Sequence, residues 1–156
     1  MEGDQLTIRP ARAGDGAAVF EVTRLSAAGL AKDHYSPEQI ANWMGERTPD
    51  FYEEAIGKGR MVVVERGGVV VAYVDAEPGE LTRLFVLPEV AGMGIGARLL
   101  EIGLEAARLG HSGPVKVEAS INAEAFYRRF GFTTIRRGYF THGVGGVPIE
   151  IVHMSL

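Results

Sequence analysis

The feature that most constrains this chain is a junction, residues 84–100, where a strand-like apolar run meets an amphipathic helical pattern. The run ends at Pro88, and Gly92, Gly94 and Gly96 then alternate with larger residues before the helix begins. Glycine has no side chain, so a ligand can approach the backbone closely at each of these positions. The first N–H groups of a helix lack partners within it and attract anions. The spacing therefore predicts a loop that holds a diphosphate at a helix N-terminus; a simple tight turn needs fewer glycines.

The same glycines also fit a dinucleotide-binding fingerprint. Gly92 to Ala97 formally match G-x-G-x-x-[GA], and Glu118 follows near the position of a ribose-binding acid. In that fold the strand leads directly into the first glycine, whereas residues 88–91 intervene here. The preceding pattern is antiparallel, and too little chain follows to complete a doubly wound sheet. We therefore favour the diphosphate loop over the dinucleotide fold.

Local signals on both sides of the junction predict one mixed domain over residues 1–156. Gly67-Gly68 between two apolar runs is typical of a β-hairpin, and a third run extends it into an antiparallel meander. Ser36 to Gln39, SPEQ, has the capping box of a helix start. A helix, a strand, a helix capped at Gly131 and two tail strands are predicted after the junction: 95–109, 115–119, 122–130, 133–141 and 148–154.

Helical periodicity predicts which side chains of three helices face the core. The predicted apolar faces are Ala18, Val22 and Leu25 on a helix that begins after Asp15; Ile95, Leu99, Ile102 and Ala106 on the second; and Ala123, Phe126 and Phe130 on the third. Tyr127 lies about 100° around its helix from Phe126, which places it off the predicted core face.

Composition excludes several classes of function. The net charge of −4 argues against general affinity for nucleic acid or for an anionic membrane. The chain has no cysteine, which excludes disulfides, thiolate metal sites and a cysteine nucleophile, and its four histidines lack zinc-ligand spacing. No apolar run is long enough to span a bilayer, and the N-terminus does not resemble a signal peptide. We therefore expect a cytoplasmic protein without a metal.

Two motifs resemble those of the GCN5-related N-acetyltransferases. Leu84-Phe85-Val86-x-Pro88, followed by the three glycines, is similar to the strand and coenzyme A loop of that family, [Q/R]-x-x-G-x-[G/A]. Gly94 and Gly96 match the last two fixed positions, whereas Ala91 stands where Gln or Arg belongs. Residues 119–132, ASINAEAFYRRFGF, closely match the second family motif. The resemblance covers nearly the whole chain and points to a bacterial branch.

The resemblance implies an α/β (α+β) fold: a mixed, mostly antiparallel sheet with helices on both faces and a splayed pair of parallel strands. It implies acetyl-CoA as co-substrate, with its pantetheine arm in the gap between those strands and the Val86 amide facing the thioester oxygen. The residues expected to bind it are Phe85, Val86, Ala91, Gly92, Met93, Gly94, Ile95, Gly96, Ala97 and Asn122. Asn122 is equally suited to cap its helix.

The resemblance also implies transfer of an acetyl group to a small-molecule or peptide amine, directly within a ternary complex. Tyr127 matches the family's general acid, although another core aromatic is the plainer interpretation. The general base stays open between Glu77, Glu80, His34 and a water relay. Residues expected near the acceptor are His34, Tyr35 and Arg83, with Trp43, Tyr139 and His142 as further candidates. A catalytically weak acyl-CoA-binding sensor or regulatory protein on the same fold is the alternative function. For either function we expect a monomer or a homodimer.

Overall fold

A computed structural model of the protein describes residues 5–30, 33–44, 47–139 and 149–156, without the side chains of Leu30, Asn42 and Trp43. The expectations for Trp43 and His142, and the inner ends of the two tail strands, lie outside this described part. Within the described residues, seven strands form one sheet in the order β1-β2-β3-β4-β5-β7-β6. Their bounds are β1 Leu6–Pro10, β2 Val62–Arg66, β3 Val69–Glu77, β4 Glu80–Val86, β5 Lys116–Ala119, β6 Thr133–Tyr139 and β7 Glu150–Ser155.

In the described part of the chain, five α-helices cover the two faces of this sheet: α1 Gly16–Leu30, α2 Pro37–Met44, α3 Pro49–Gly57, α4 Ile95–Arg108 and α5 Glu124–Arg129. Helix α1 lies on one face, where Thr23 hydrogen-bonds to Tyr73 of β3. Helix α4 lies on the other face, because Gly103 comes so close to Val74 and Leu81 that a Cβ there would clash with both. Two short 3-10 turns, Pro88–Val90 and Ile121–Ala123, precede α4 and α5.

The local signals in the sequence are confirmed where the chain makes its own turns and caps. Gly67 and Gly68 both have positive φ, 58° and 81°, and join β2 to β3 with Arg66 opposite Val69. The capping box at α2 forms both of its hydrogen bonds: the Ser36 N–H donates to the Gln39 side chain at 2.9 Å, and the Gln39 N–H donates to the Ser36 hydroxyl at 3.1 Å.

The predicted apolar faces of α1 and α4 are wrong in detail. Val22 is buried as predicted, but Leu25 is 41% exposed, and α1 also buries Val19, Thr23, Ser26 and Ala27. Helix α4 buries Ile95, Leu99, Leu100, Gly103 and Ala107, so Ile102 and Ala106 are only half-buried. The reason is geometric: a helix on a twisted sheet buries the side chains nearest the strands, and periodicity alone does not fix that rotation.

The predicted splayed strand pair is confirmed. Strands β4 and β5 run parallel but pair only at Glu80–Lys116 and Leu81–Val117. The register between β3 and β4 shifts between Leu81 and Arg83, which leaves Thr82 as an extra residue on β4. Such a bulge bends the strand that carries it. Beyond this point β4 and β5 diverge, and the sheet has a gap along the C-terminal half of β4.

Candidate active site

A cavity of about 510 Å³ occupies the gap between β4 and β5 and is lined by residues of α5 as well as α1. Its walls come from the end of β4, the glycine loop, the segment after β5, and α1. The predicted cofactor residues that line it are Phe85, Val86, Ala91, Gly92, Gly94, Gly96, Ala97 and Asn122. Met93 and Ile95 do not line it: Met93 is 48% exposed, and the Ile95 side chain is buried in the core. The buried Ile95 side chain leaves only its backbone to face a ligand in the cavity.

The backbone conformation of the glycine loop favours glycine at two of its positions. Gly92 and Gly94 have φ of 86° and 80°, in the left-handed region that favours glycine. Nothing lies within 4 Å of a Cβ added at either position, so the space beside them is open. Gly94 is the N-cap of α4 and makes no side-chain cap hydrogen bond. The loop therefore presents the first amides of a 14-residue helix to the cavity, as an anion site requires.

The backbone of β4 is oriented for pairing across the gap. The Leu87 N–H donates to the Val71 carbonyl of β3 at 2.9 Å. Because successive strand residues direct their backbone groups to opposite sides, the Val86 N–H points away from β3. The Val86 carbonyl accepts a hydrogen bond from Ser26 of α1 at 3.2 Å. Ser26 was missed in the sequence because its helix precedes β4 by about 60 residues.

Tyr127 differs from its predicted placement. It is the buried residue of α5, 5% exposed, with ring contacts to Phe126 at 5.2 Å and Phe132 at 5.3 Å. Phe126 is half-buried and packs against the core as predicted, whereas Phe130 is 41% exposed; both line the cavity. The Tyr127 hydroxyl has no hydrogen-bond partner among the described residues. Burial raises its pKa, so the hydroxyl stays protonated and available as a donor.

A second cavity, of about 50 Å³, continues through the gap to the α1–α3 face of the sheet. It shares Leu84, Phe85, Ser120, Ala123 and Tyr127 with the first. Its remaining walls include Arg47, Thr82, Arg83 and Glu118. Tyr127 therefore lies where the two cavities meet. Glu118 is the carboxylate residue of this wall, and the sequence had suggested it only as a ribose ligand in the dinucleotide fold.

The predicted base candidates lie elsewhere. Glu77 and Glu80 pair in register at the β3–β4 turn, at the end of β4 opposite the gap. Glu77 is also 3.7 Å from Lys58. His34 is exposed and lines neither cavity. Glu118 follows Val117, the last β5 residue to pair with β4, which explains why it borders the gap.

Tyr35 supports the segment that leads into α5. It is 5% exposed, and its hydroxyl donates to the Glu150 carbonyl at 2.6 Å and accepts from the Ile121 N–H at 2.9 Å. Burial raises its pKa, which keeps this donor protonated. The hydroxyl thus ties β7 to the turn that leads into α5. Tyr35 positions the segment that carries Asn122 and Tyr127, whereas we had expected it to contact the acceptor.

The architecture overturns the dinucleotide interpretation of the glycines. Within the described ranges, β4–β5 is the one parallel pair, and a 3-10 turn separates β4 from the loop. No three His, Asp or Glu side chains of the described residues gather as a metal site would require. Across the same ranges, no helix is both long and apolar enough to cross a bilayer.

Comparisons with known proteins agree with this geometry. Residues 31–153 match the family model described as an acetyltransferase (GNAT) domain. The chain is 25% identical to the uncharacterized N-acetyltransferase YafP of Escherichia coli K12 over 134 residues, covering 86% of this chain and 85% of YafP.

Two solved structures have the same fold. One is a GCN5-related N-acetyltransferase from Rhodopseudomonas palustris, with a TM-score of 0.87, 22% identity, and coverage of 99% of this chain and 97% of that one. The other is YncA of Salmonella typhimurium, solved with its cofactor acetyl-CoA, with a TM-score of 0.70, 22% identity, and coverage of 98% and 94%. Since the family model spans most of the sequence, the chain belongs to the GNAT acetyltransferase family.

Proposed function

We propose that residues 1–156 act as a single N-acetyltransferase domain that moves an acetyl group from acetyl-CoA directly to an amine. The observation that carries this proposal is the pair of cavities that meet at Tyr127 inside the gap between β4 and β5. One cavity begins at the glycine loop and the other opens toward the opposite face, so two substrates can meet across the sheet. The acetyl-CoA bound to YncA, a protein of the same fold, supports the choice of co-substrate.

The loop residues Gly92 to Ala97 would hold the diphosphate through backbone amides and the N-terminus of α4. The free edge of β4 would pair with the pantetheine arm as an added strand does. Phe85 and Val86 contribute that edge, and Asn122 lies across the cavity from it. Ala91 supplies no side-chain donor where the family has Gln or Arg, so the anchoring would come from backbone amides and from other residues of the cavity wall, which include Arg129.

The reaction requires three catalytic contributions from the protein: a donor to the thioester oxygen, a base and an acid. The Val86 N–H would stabilise negative charge that develops on the thioester oxygen. Glu118 would accept the proton that the amine loses as the new C–N bond forms, directly or through a water. Tyr127 would donate its proton to the sulfur as the C–S bond breaks, and its hydroxyl is protonated in the resting enzyme because burial raises its pKa. Acetyl-CoA supplies the activated acyl group.

The direct test measures free thiol release from acetyl-CoA with a panel of amines, beside calorimetric binding of acetyl-CoA. Turnover that depends on the amine supports the proposal. Binding of acetyl-CoA without release of thiol in the presence of any amine would favour the alternative, an acyl-CoA-binding sensor. Ala91, in place of the family's Gln or Arg, is compatible with that alternative. The net charge of −4 supports a small-molecule or peptide acceptor over nucleic acid or an anionic membrane. We also propose that the protein acts in the cytoplasm.

A further inference from the structure

Two arginines line the small cavity on the acceptor side of Tyr127. Arg83 lies on β4, with its side chain 12% exposed, and Arg47, between α2 and α3, is 7% exposed. Their guanidinium carbons lie 5.2 and 4.6 Å from the centroid of the Phe51 ring. Both guanidinium groups therefore lie beside the same aromatic ring, and both side chains are largely shielded from solvent. An anionic ligand group would be stabilised there, because opposite charges interact strongly when screening by solvent is weak.

Arg83 keeps hydrogen-bonding capacity after its contacts within the protein. One of its N–H groups donates to Asp75 at 2.9 Å, and the other Asp75 oxygen accepts from the Ala76 N–H at 2.9 Å. The remaining guanidinium N–H groups of Arg83 have no hydrogen-bond partner among the described residues. A guanidinium offers parallel N–H donors that match the two oxygens of a carboxylate. Asp75 therefore orients Arg83 without using up its donors.

Thr82 adds an independent observation beside Arg83. Its hydroxyl is buried and makes no hydrogen bond within the described part of the chain, although the residue lines the same cavity. Buried hydroxyls nearly always have a partner, so an unpaired one beside a cavity is consistent with a ligand that supplies it. A carboxylate that accepts from Arg83 has further lone pairs for such a donor.

The size of the cavity limits the buried part of the ligand. About 50 Å³ holds a group of only a few heavy atoms, such as a carboxylate with the carbon next to it. Glu118 lines the cavity as well and provides an acid for the amine. A molecule with a carboxylate close to its amine can thus place the carboxylate against Arg83 and the amine against Glu118. A second ammonium group would instead lie beside two arginines, where like charges repel.

We propose that the acceptor is an amine bearing a nearby carboxylate, of the amino-acid class, with the carboxylate bound by Arg83 and the amine presented between Glu118 and Tyr127. The position of the amine in this inference rests on the proposed transferase function. The binding of a carboxylate by Arg83 does not depend on that function. The competing explanation is that Arg83 and Asp75 form a purely structural ion pair.

The kinetic test compares amino acids with their C-terminal carboxamides as acceptors, by thiol release at saturating acetyl-CoA. Wild-type protein should have the higher kcat/KM with the free acids. Arg83→Met should lower the acid-over-amide ratio about 10- to 100-fold, which corresponds to about 1.4–2.8 kcal/mol. Arg83→Lys should recover part of the ratio, because it keeps the charge but not the paired donors.

Two further variants keep the result interpretable. Arg24→Met is the matched control, because Arg24 is an exposed arginine of α1 that pairs with Glu21 away from the cavities; it should leave the ratio unchanged. If Arg83→Met unfolds, the double variant Asp75→Asn, Arg83→Met removes the pair without leaving a lone buried charge. That double variant should show the same loss of acid preference.

A binding measurement separates this inference from the proposed function. Calorimetry with CoA-saturated protein compares N-acetyl amino acids with their carboxamides, and it requires no turnover. Acid-selective binding that Arg83→Met removes supports the site even if no amine is acetylated, in which case only the transferase proposal fails. Equal binding and turnover of acids and amides, unaffected by Arg83→Met, would overturn the inference while amine-dependent thiol release still supports the transferase.

Discussion

Gly94→Ala tests the conformational reason for the glycine loop. Gly94 has a φ of 80°, which costs a residue with a Cβ roughly 1–2 kcal/mol relative to glycine. The added methyl meets nothing within 4 Å, so no clash should increase this cost. The free energy of unfolding should therefore fall by about 1–2 kcal/mol, or Tm by roughly 2–8 °C for a chain of this size. The strained loop should also misdirect its amides and weaken acetyl-CoA binding.

The assay is urea unfolding of the unliganded protein, followed by calorimetric titration with acetyl-CoA. Gly57→Ala is the matched control, because Gly57 ends α3 without a positive φ and also has open space around an added Cβ. That change should be neutral or should stabilise by up to about 1 kcal/mol, since alanine is the better helix former. If Gly94→Ala matches wild type in both stability and affinity, the argument from backbone conformation is wrong. A loss of stability with unchanged affinity would refute only the diphosphate site.

Four further predictions follow from the site and its supports. Tyr127→Phe should lower kcat about 10²-fold with little change in acetyl-CoA affinity, and full turnover would show that the tyrosine is structural. Glu118→Gln should lower kcat/KM for the amine about 10²-fold with little change in acetyl-CoA affinity, and unchanged kcat/KM would contradict a role as base. Tyr35→Phe should destabilise the protein by about 1–3 kcal/mol in chemical unfolding, because it removes two hydrogen bonds that join β7 to the turn before α5. Asp15→Asn should destabilise the protein at pH 7, because Arg9 holds the pKa of Asp15 below its usual value. The ionised Asp15 stabilises the folded protein fully at pH values above the usual carboxyl pKa. The difference between variant and wild type in unfolding free energy should therefore disappear as pH falls through the lowered pKa.

The parts of the fold that the sequence predicted well are those decided by short-range interactions. The capping box at Ser36 and Gln39 and the turn at Gly67-Gly68 involve residues within four positions of each other, so their geometry follows from residue type. The glycine loop belongs to the same class, because positive φ at Gly92 and Gly94 is a local requirement. Resemblance to a family supplied the splayed strand pair, which no local pattern contains.

Only the tertiary structure decided which side chains meet in the gap. The Tyr35 hydroxyl forms hydrogen bonds with residues 86 and 115 positions away. The sequence around Tyr35 therefore cannot distinguish this role from contact with the acceptor. Tyr127 and Phe130 exchange their expected environments because α5 rotates its tyrosine onto Phe132. The convergence of Arg83 and Glu118 depends on β4 diverging from β5 just after their last paired residues. Sequence determines the turns, caps and strands through local conformational preference, whereas the rotation of each helix and the opening of the sheet depend on how distant elements pack.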